Sequence, residues 1–145
     1  MEVLPCTAGA KIHVIGFAPG DLLLEKIEEA IAKHNIENGA VISGIGTLKT
    51  CRLHYVKHTE FPPVNVFYTL SEPLELLSIN GLIINGQPHL HIAVSKGEEK
   101  TWGGHLEHGS EVLYLAEIAI LEFEGLSAER KYDEKLKISL LSGKG

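Results

Sequence analysis

The chain has 145 residues and a formal net charge of −6 at pH 7 with histidine neutral. This length suits one domain that buries about two-thirds of its unfolded surface, and the acidic balance opposes nucleic-acid binding. No apolar run approaches the roughly 20 residues that cross a bilayer, and the N-terminus lacks a signal-peptide pattern. Cys6 and Cys51 are expected to be reduced thiols, with a disulfide bridge as the weaker alternative. We therefore expect a cytoplasmic protein that binds no membrane and, at physiological salt, no DNA tightly.

The chain begins with a predicted strand and a predicted helix. Residues 11–17 alternate loosely between apolar and polar types and end at Ala18-Pro19-Gly20. Asp21 stands at an N-cap position, and the apolar residues that follow recur on one helical face. This pattern predicts an amphipathic helix over about 21–35, whose charged face is solvated.

The next segment, residues 39–47, is predicted to be an apolar strand that breaks into a turn at its two last glycines. The segment Gly44-Ile45-Gly46 resembles part of a nucleotide-binding turn, which also needs a third glycine and a helix directly afterwards. Here another alternating strand follows, over residues 51–56. We therefore interpret the glycines as a structural turn, with phosphate binding as the weaker alternative.

The second half of the chain predicts strands over residues 64–70, 74–84, 88–95 and 111–123. The last of these segments is long enough for a helix, but its β-branched and aromatic content favours a strand. The charged tail, residues 126–145, is expected to be solvated and to end in a short edge strand. Together the patterns predict a single α+β domain over residues 1–145, with a large, mostly antiparallel sheet covered by at least one helix.

Three histidines carry the clearest chemical signal. His89 and His91 are two positions apart in a strand, so their rings leave the same face about 6 to 7 Å apart. His105 follows a glycine pair and joins them if residues 96–100 form a hairpin turn. Two residues that are paired across the turn lie on the same face, and the sum of their residue numbers is constant along the hairpin. An even sum is needed to place His105 on the face of His89 and His91: a sum of 196 pairs His105 with His91, and a sum of 194 pairs it with His89.

Three neutral imidazoles with an open fourth position are typical of zinc sites, and imidazole also suits iron, copper and nickel. The alternative is that His89 and His91 are solvated and that His105 is a partly buried, hydrogen-bonded side chain. We expect one divalent metal ion, zinc, bound by His89, His91 and His105.

Two carboxylates in apolar strands are candidates for a supporting role. Glu75 and Glu117 each interrupt an apolar run. Glu75 is interpreted as a strand-end or edge charge or, alternatively, as a fourth metal ligand, an acceptor for an imidazole N–H or a general base. Glu117 is expected to face water, a subunit contact or the metal site, because an unpaired charge in mid-strand is costly.

Several of these segments occur in an order that resembles a known family. They are the Gly20-Asp21 helix start, Ala40-Val41-Ile42-Ser43-Gly44-Ile45-Gly46, Pro73-Leu74-Glu75-Leu76-Leu77-Ser78-Ile79-Asn80-Gly81, Pro88-His89-Leu90-His91 and Gly103-Gly104-His105-Leu106. Over about residues 10–125 the chain resembles the plants and prokaryotes conserved (PPC) domain, also called DUF296.

The resemblance implies a compact α/β domain that assembles as a homotrimer. It also implies a metal at the positions of His89, His91 and His105. Prokaryotic members are commonly labelled DNA-binding, and plant members read AT-rich minor grooves through a basic arm that these 145 residues lack.

Two functions follow as hypotheses. In the first, the protein is an oligomeric interaction or regulatory module in which the metal ties the strand of His89 and His91 to the segment of His105 or to another subunit. In the second, it is a metal-dependent hydrolase or lyase with a metal-bound water as nucleophile. The sequence names neither a substrate nor a protein partner. An open coordination position in a pocket would favour catalysis, and a closed four-ligand site would favour a structural role.

Overall fold

The computed structural model describes residues 3–6 and 8–145. In chain order the elements are β1 (Ala10–Phe17), α1 (Leu23–His34), β2 (Gly39–Val56), β3 (Asn65–Leu70), β4 (Leu74–Ile84), β5 (Gln87–Lys96), β6 (Lys100–Leu106), β7 (Glu111–Phe123), β8 (Ala128–Asp133) and β9 (Ile138–Gly143). The described part of the chain is thus mostly strand with a single helix. It fits the predicted α+β class only loosely.

The main sheet is antiparallel and partly closes on itself. Its strand order is β1-β7-β2-β4-β5-β6, with β3 paired to β2 at the side. β2 has 18 residues, so its first half pairs with β7 and β4 while its second half pairs with β3 and β6. The pairing of β6 with β2 closes a ring of β2, β4, β5 and β6. Apolar side chains fill the inside of this ring, and the alternate residues point outward.

The helix packs on the inner face of the sheet. Leu23, Ile27 and Ile31 are buried against the core. The helix begins at Leu23, two residues later than predicted, because the Asp21 carboxylate accepts a hydrogen bond from the backbone N–H of Ala18 at 2.8 Å instead of capping the helix. Asn35 ends it in the left-handed conformation, with φ 53°. Among the described residues, no helix is long and apolar enough to span a bilayer.

The predicted turn at Gly44-Ile45-Gly46 is wrong, since these residues lie within the continuous strand β2. A Cβ on Gly44 would overlap the side chain of Ile79, and one on Gly46, whose φ is 155°, would lie 2.5 Å from the carbonyl oxygen of Leu115. The glycines therefore allow neighbouring strands to approach closely. The segment Glu111–Phe123 is a strand, as its composition favoured.

The charged tail also differs from expectation. Residues Ala128–Asp133 and Ile138–Gly143 pair as an antiparallel hairpin, a separate two-stranded sheet. The expected edge strand is therefore half of this hairpin. Arg130 connects the hairpin to the main sheet by donating hydrogen bonds to backbone carbonyls at the β4 and β5 end.

Candidate metal centre

Four histidine rings lie side by side on the outer face of the closed ring of strands. β5 and β6 are joined by a three-residue loop. His91 and His105 are register partners, which is the predicted register in which the paired residue numbers sum to 196. On its other side, β6 pairs with β2, where His54 is the partner of His105. His89 lies two residues from His91 on the same face of β5. Three strands thus present four imidazoles to one surface.

The spacing of the predicted triad suits a tetrahedral metal. The ring centroids of His89 and His91 are 5.5 Å apart, those of His89 and His105 are 4.9 Å apart, and those of His91 and His105 are 5.7 Å apart. Three imidazoles that bind one tetrahedral zinc at 2.0–2.1 Å have centroids about 5 Å apart by geometry. Both rings on β5 are on exposed residues that can turn about their side-chain torsions. The donor set therefore suits a metal such as zinc in number and chemistry, and its ring nitrogens converge only when the two rings on β5 turn.

The most closely spaced ligand atoms of the cluster belong to a different set of three residues. Among the described residues, His54, His105 and Glu107 form the group whose ligand atoms all lie within 4.8 Å of one another. His105 belongs both to this group and to the predicted triad. The cluster is therefore larger than the triad, and it contains a carboxylate.

Glu107 contacts two of the rings through a single oxygen. Its Oε1 lies 2.5 Å from Nδ1 of His54 and 3.1 Å from Nδ1 of His105, and the two rings stack with centroids 4.4 Å apart. An ionised carboxylate can only accept hydrogen bonds, so each Nδ1 carries its proton and each Nε2 keeps a free lone pair. Glu107 therefore selects the tautomer in which His105 can bind a metal through Nε2.

Partial loss of solvent around the ring lowers the pKa of two of the histidines. Loss of solvent lowers the pKa of His89, and the nearby His105 and Arg130 lower it further. Burial also lowers the pKa of His105, with His54 adding to the effect and Glu107 opposing it. Because metal binding requires an unprotonated imidazole nitrogen, both shifts favour a metal near neutral pH.

A cavity opens over the cluster. It has a volume of about 490 Å³ and is lined by His54, His89, His91 and His105 together with neighbouring residues of β2 and β6. This volume is within the range of small-molecule sites. The rings therefore face a space that a small ligand can enter.

The two carboxylates suggested by the sequence lie elsewhere. Glu75 is exposed and pairs with Ser95, which is four residues, or about 13 Å, from His91 along β5. Glu117 is exposed and pairs with Ile45, which is nine residues, or about 30 Å, from His54 along β2. The structure brings neither of them to the histidines.

Sequence reasoning missed His54 and Glu107. Glu107 follows His105 by two positions, so the alternation that grouped His89 with His91 was a signal that could have found it. His54 comes close only through the pairing of β2 with β6, between residues about 50 positions apart. No local pattern predicts that pairing.

Comparison with known proteins places the chain in a family. The Plants and Prokaryotes Conserved (PCC) domain matches residues 5–124. The chain belongs to the PCC-domain family. The PCC-domain match covers all four histidines and Glu107, and it ends before the hairpin of β8 and β9.

The chain is similar to proteins of very different lengths. The bifunctional protein GlmU of Synechococcus sp. (strain JA-3-3Ab) is 31% identical over 116 residues, which are 80% of this chain and 18% of that protein. A metal-containing protein from Archaeoglobus fulgidus is 27% identical, with a TM-score of 0.82 over 98% of this chain and 99% of its own. A PPC protein from Pyrococcus horikoshii is 28% identical, with a TM-score of 0.78 over 100% of this chain and 96% of its own.

Proposed function

We propose that this PCC-domain protein is a metal-binding homotrimer that acts as an interaction or regulatory module. The observation that carries the proposal is the placement of His89, His91 and His105 on one sheet face with ring centroids 4.9 to 5.7 Å apart. The metal-containing protein of Archaeoglobus fulgidus, which is similar along almost its whole length, supports it. Zinc is the metal that three imidazoles suit best.

The chain's own residues define what a metal would do here. His89 and His91 lie on β5 and His105 lies on β6, so a metal bound by all three would cross-link the two strands. Glu107 holds His105 in the tautomer that leaves Nε2 free. Zinc bound at such a site supplies a Lewis acid.

The direct test is elemental analysis of the purified protein across a pH series. We expect one zinc per chain at pH 7.5, retained to below pH 6.5 and lost on further acidification. The reason is that the lowered pKa values of His89 and His105 delay the protonation that competes with the metal. A metal-free protein after expression with added zinc, or full zinc content at pH 4.5, would contradict the proposal.

The homotrimer is supported by an apolar surface on the sheet. Ile12, Val14 and Ile45 are 65%, 78% and 54% exposed on the face that points away from the core, and Glu117 lies beside them. A contiguous apolar patch on a soluble domain is typical of a subunit interface. Glu117 is then expected at the edge of that interface.

Light scattering tests the assembly. The wild-type protein is expected to have three times the chain mass of 15.8 kDa at micromolar concentration. Val14→Glu places a charge in the apolar patch and should yield smaller species. Phe61→Glu, a comparably exposed apolar position in the loop before β3, is the control that should keep the trimer. A stable wild-type monomer would contradict the proposal.

Direct DNA binding is not part of the proposal. The net charge of −6 opposes phosphate contacts, and the chain contains two arginines, Arg52 and Arg130. Arg130 donates hydrogen bonds from two of its N–H groups to backbone carbonyls of the same chain. We expect weak binding at low salt and no tight binding at physiological salt.

A metal-dependent hydrolase or lyase is the second candidate function. The observation that favours it is the cavity of about 490 Å³ over the histidines, because three protein ligands beneath open space leave a position for water or substrate. In that case Glu107 and His54, not Glu75 or Glu117, are the groups near enough to move a proton. A structure of the zinc-loaded protein distinguishes the candidates, since a fourth protein ligand would close the site.

A further inference from the structure

Arg130 is fixed beside the histidine cluster. Its Nη1 donates a hydrogen bond to the carbonyl of Gln87 at 2.8 Å, and its Nη2 donates one to the carbonyl of Leu82 at 3.1 Å. Gln87 is two residues from His89 on β5, and Leu82 is the register partner of His89 on β4. The two hydrogen bonds therefore hold the guanidinium next to His89.

This guanidinium carries a charge that the described residues do not balance. Among residues 3–6 and 8–145, no carboxylate oxygen lies within the 4.0 Å ion-pair distance of Arg130. Partial burial of the side chain lowers its pKa, because removal of water disfavours the charged guanidinium. Guanidinium has five N–H donors, so three remain for a ligand.

The space around Arg130 borders the histidine cluster at His89. A cavity of about 340 Å³ is lined by Arg130, His89, Ser139, Leu82, Leu140 and Leu141. His89 also lines the larger cavity over the other rings. Because the two cavities share His89, a molecule that reaches past this residue contacts both the rings and the guanidinium.

We propose that the cavity beside His89 is an anion subsite, in which Arg130 binds the carboxylate or phosphate group of a small molecule whose other end reaches the histidine cluster. The leucines on its walls suit an apolar segment next to that anionic group. Arg130 supplies the charge-assisted hydrogen bonds, and its two bonds to backbone carbonyls orient it in advance. The inference rests on the proposed function for the metal at the far end of the ligand, while the anion subsite itself can be tested without metal.

The test uses the two arginines as reporter and internal control. Inorganic phosphate and acetate are titrated separately into the metal-free full-length protein, and the Nε–H resonances of Arg130 and Arg52 are followed by NMR. We expect a saturable shift at Arg130 with at least one of the two anions and none at Arg52, which is exposed on β2. The stronger binder identifies the anionic group. An Arg130 resonance that responds to neither anion would overturn the inference.

Variants separate anion binding from folding and from metal binding. Arg130→Gln is expected to weaken anion binding at least tenfold while zinc stoichiometry is unchanged, and Arg52→Gln should alter neither. Equal anion affinity in folded Arg130→Gln and wild-type protein would overturn the inference. If Arg130→Gln fails to fold, the NMR titration of the wild type still decides. A wild-type protein that binds the anion but no zinc would refute the proposed function and leave the subsite standing.

Discussion

Replacing His89, His91 or His105 by alanine is expected to lower zinc affinity by more than the roughly 10–100-fold that follows loss of an outer hydrogen-bond partner. Each substitution removes one of three ring nitrogens and leaves the triad with fewer than the three protein ligands of a typical catalytic zinc site. Zinc content of the purified variants, measured by elemental analysis, checks the prediction.

The control for these variants is His34→Ala. His34 is an exposed residue at the end of α1, and its ring lies beside that of His13 on β1, with the ring centroids 5.6 Å apart. We expect this variant to keep one zinc per chain. Stoichiometric zinc in all three cluster variants would show that the zinc is bound elsewhere.

Glu107→Ala is expected to lower zinc affinity by about 10–100-fold without removing a ligand of the triad. The carboxylate accepts hydrogen bonds from Nδ1 of both His54 and His105, so its loss frees both rings to rotate and to change tautomer. Glu107→Gln keeps one carbonyl oxygen as acceptor and should retain more of the affinity. Zinc titrations of the three proteins measure the order.

Nitrogen NMR of the metal-free protein provides a readout that general destabilisation would not mimic. In the wild type, His105 should carry its proton on Nδ1, and in Glu107→Ala this preference should be lost. The matched control is Glu75→Ala, which removes an exposed carboxylate about 13 Å along the sheet from His91 and should change neither affinity nor tautomer. Wild-type affinity in Glu107→Ala would contradict the positioning role.

The sequence alone determined the face on which the histidines lie. Alternation along a strand places residues two positions apart on one side, so His89 and His91 had to project together. The parity rule for a hairpin allowed two registers for His105, and the structure has the one opposite His91. The helix was predictable for a similar reason, because its apolar period of 3.6 residues is a local property.

Other features depended on pairings between distant segments. His54 reaches His105 because β2 is long enough to pair with β6 as well as with β4 and β7, a result of ring closure that no short window contains. Gly44 and Gly46 also depend on distant segments. They look like a turn in sequence, but they lie within β2, where the absence of a Cβ lets β4 and β7 approach closely.

The tail shows the same division between local pattern and tertiary context. Its charged residues indicated a solvated segment with one edge strand, yet residues 128–143 form a hairpin whose Arg130 binds backbone carbonyls of the main sheet. A strand's own sequence specifies which side chains share a face, since that depends on the alternation of the backbone. Which strand lies next to it depends on how the whole core packs, and this decided that His54, Glu107 and Arg130 surround the predicted histidines.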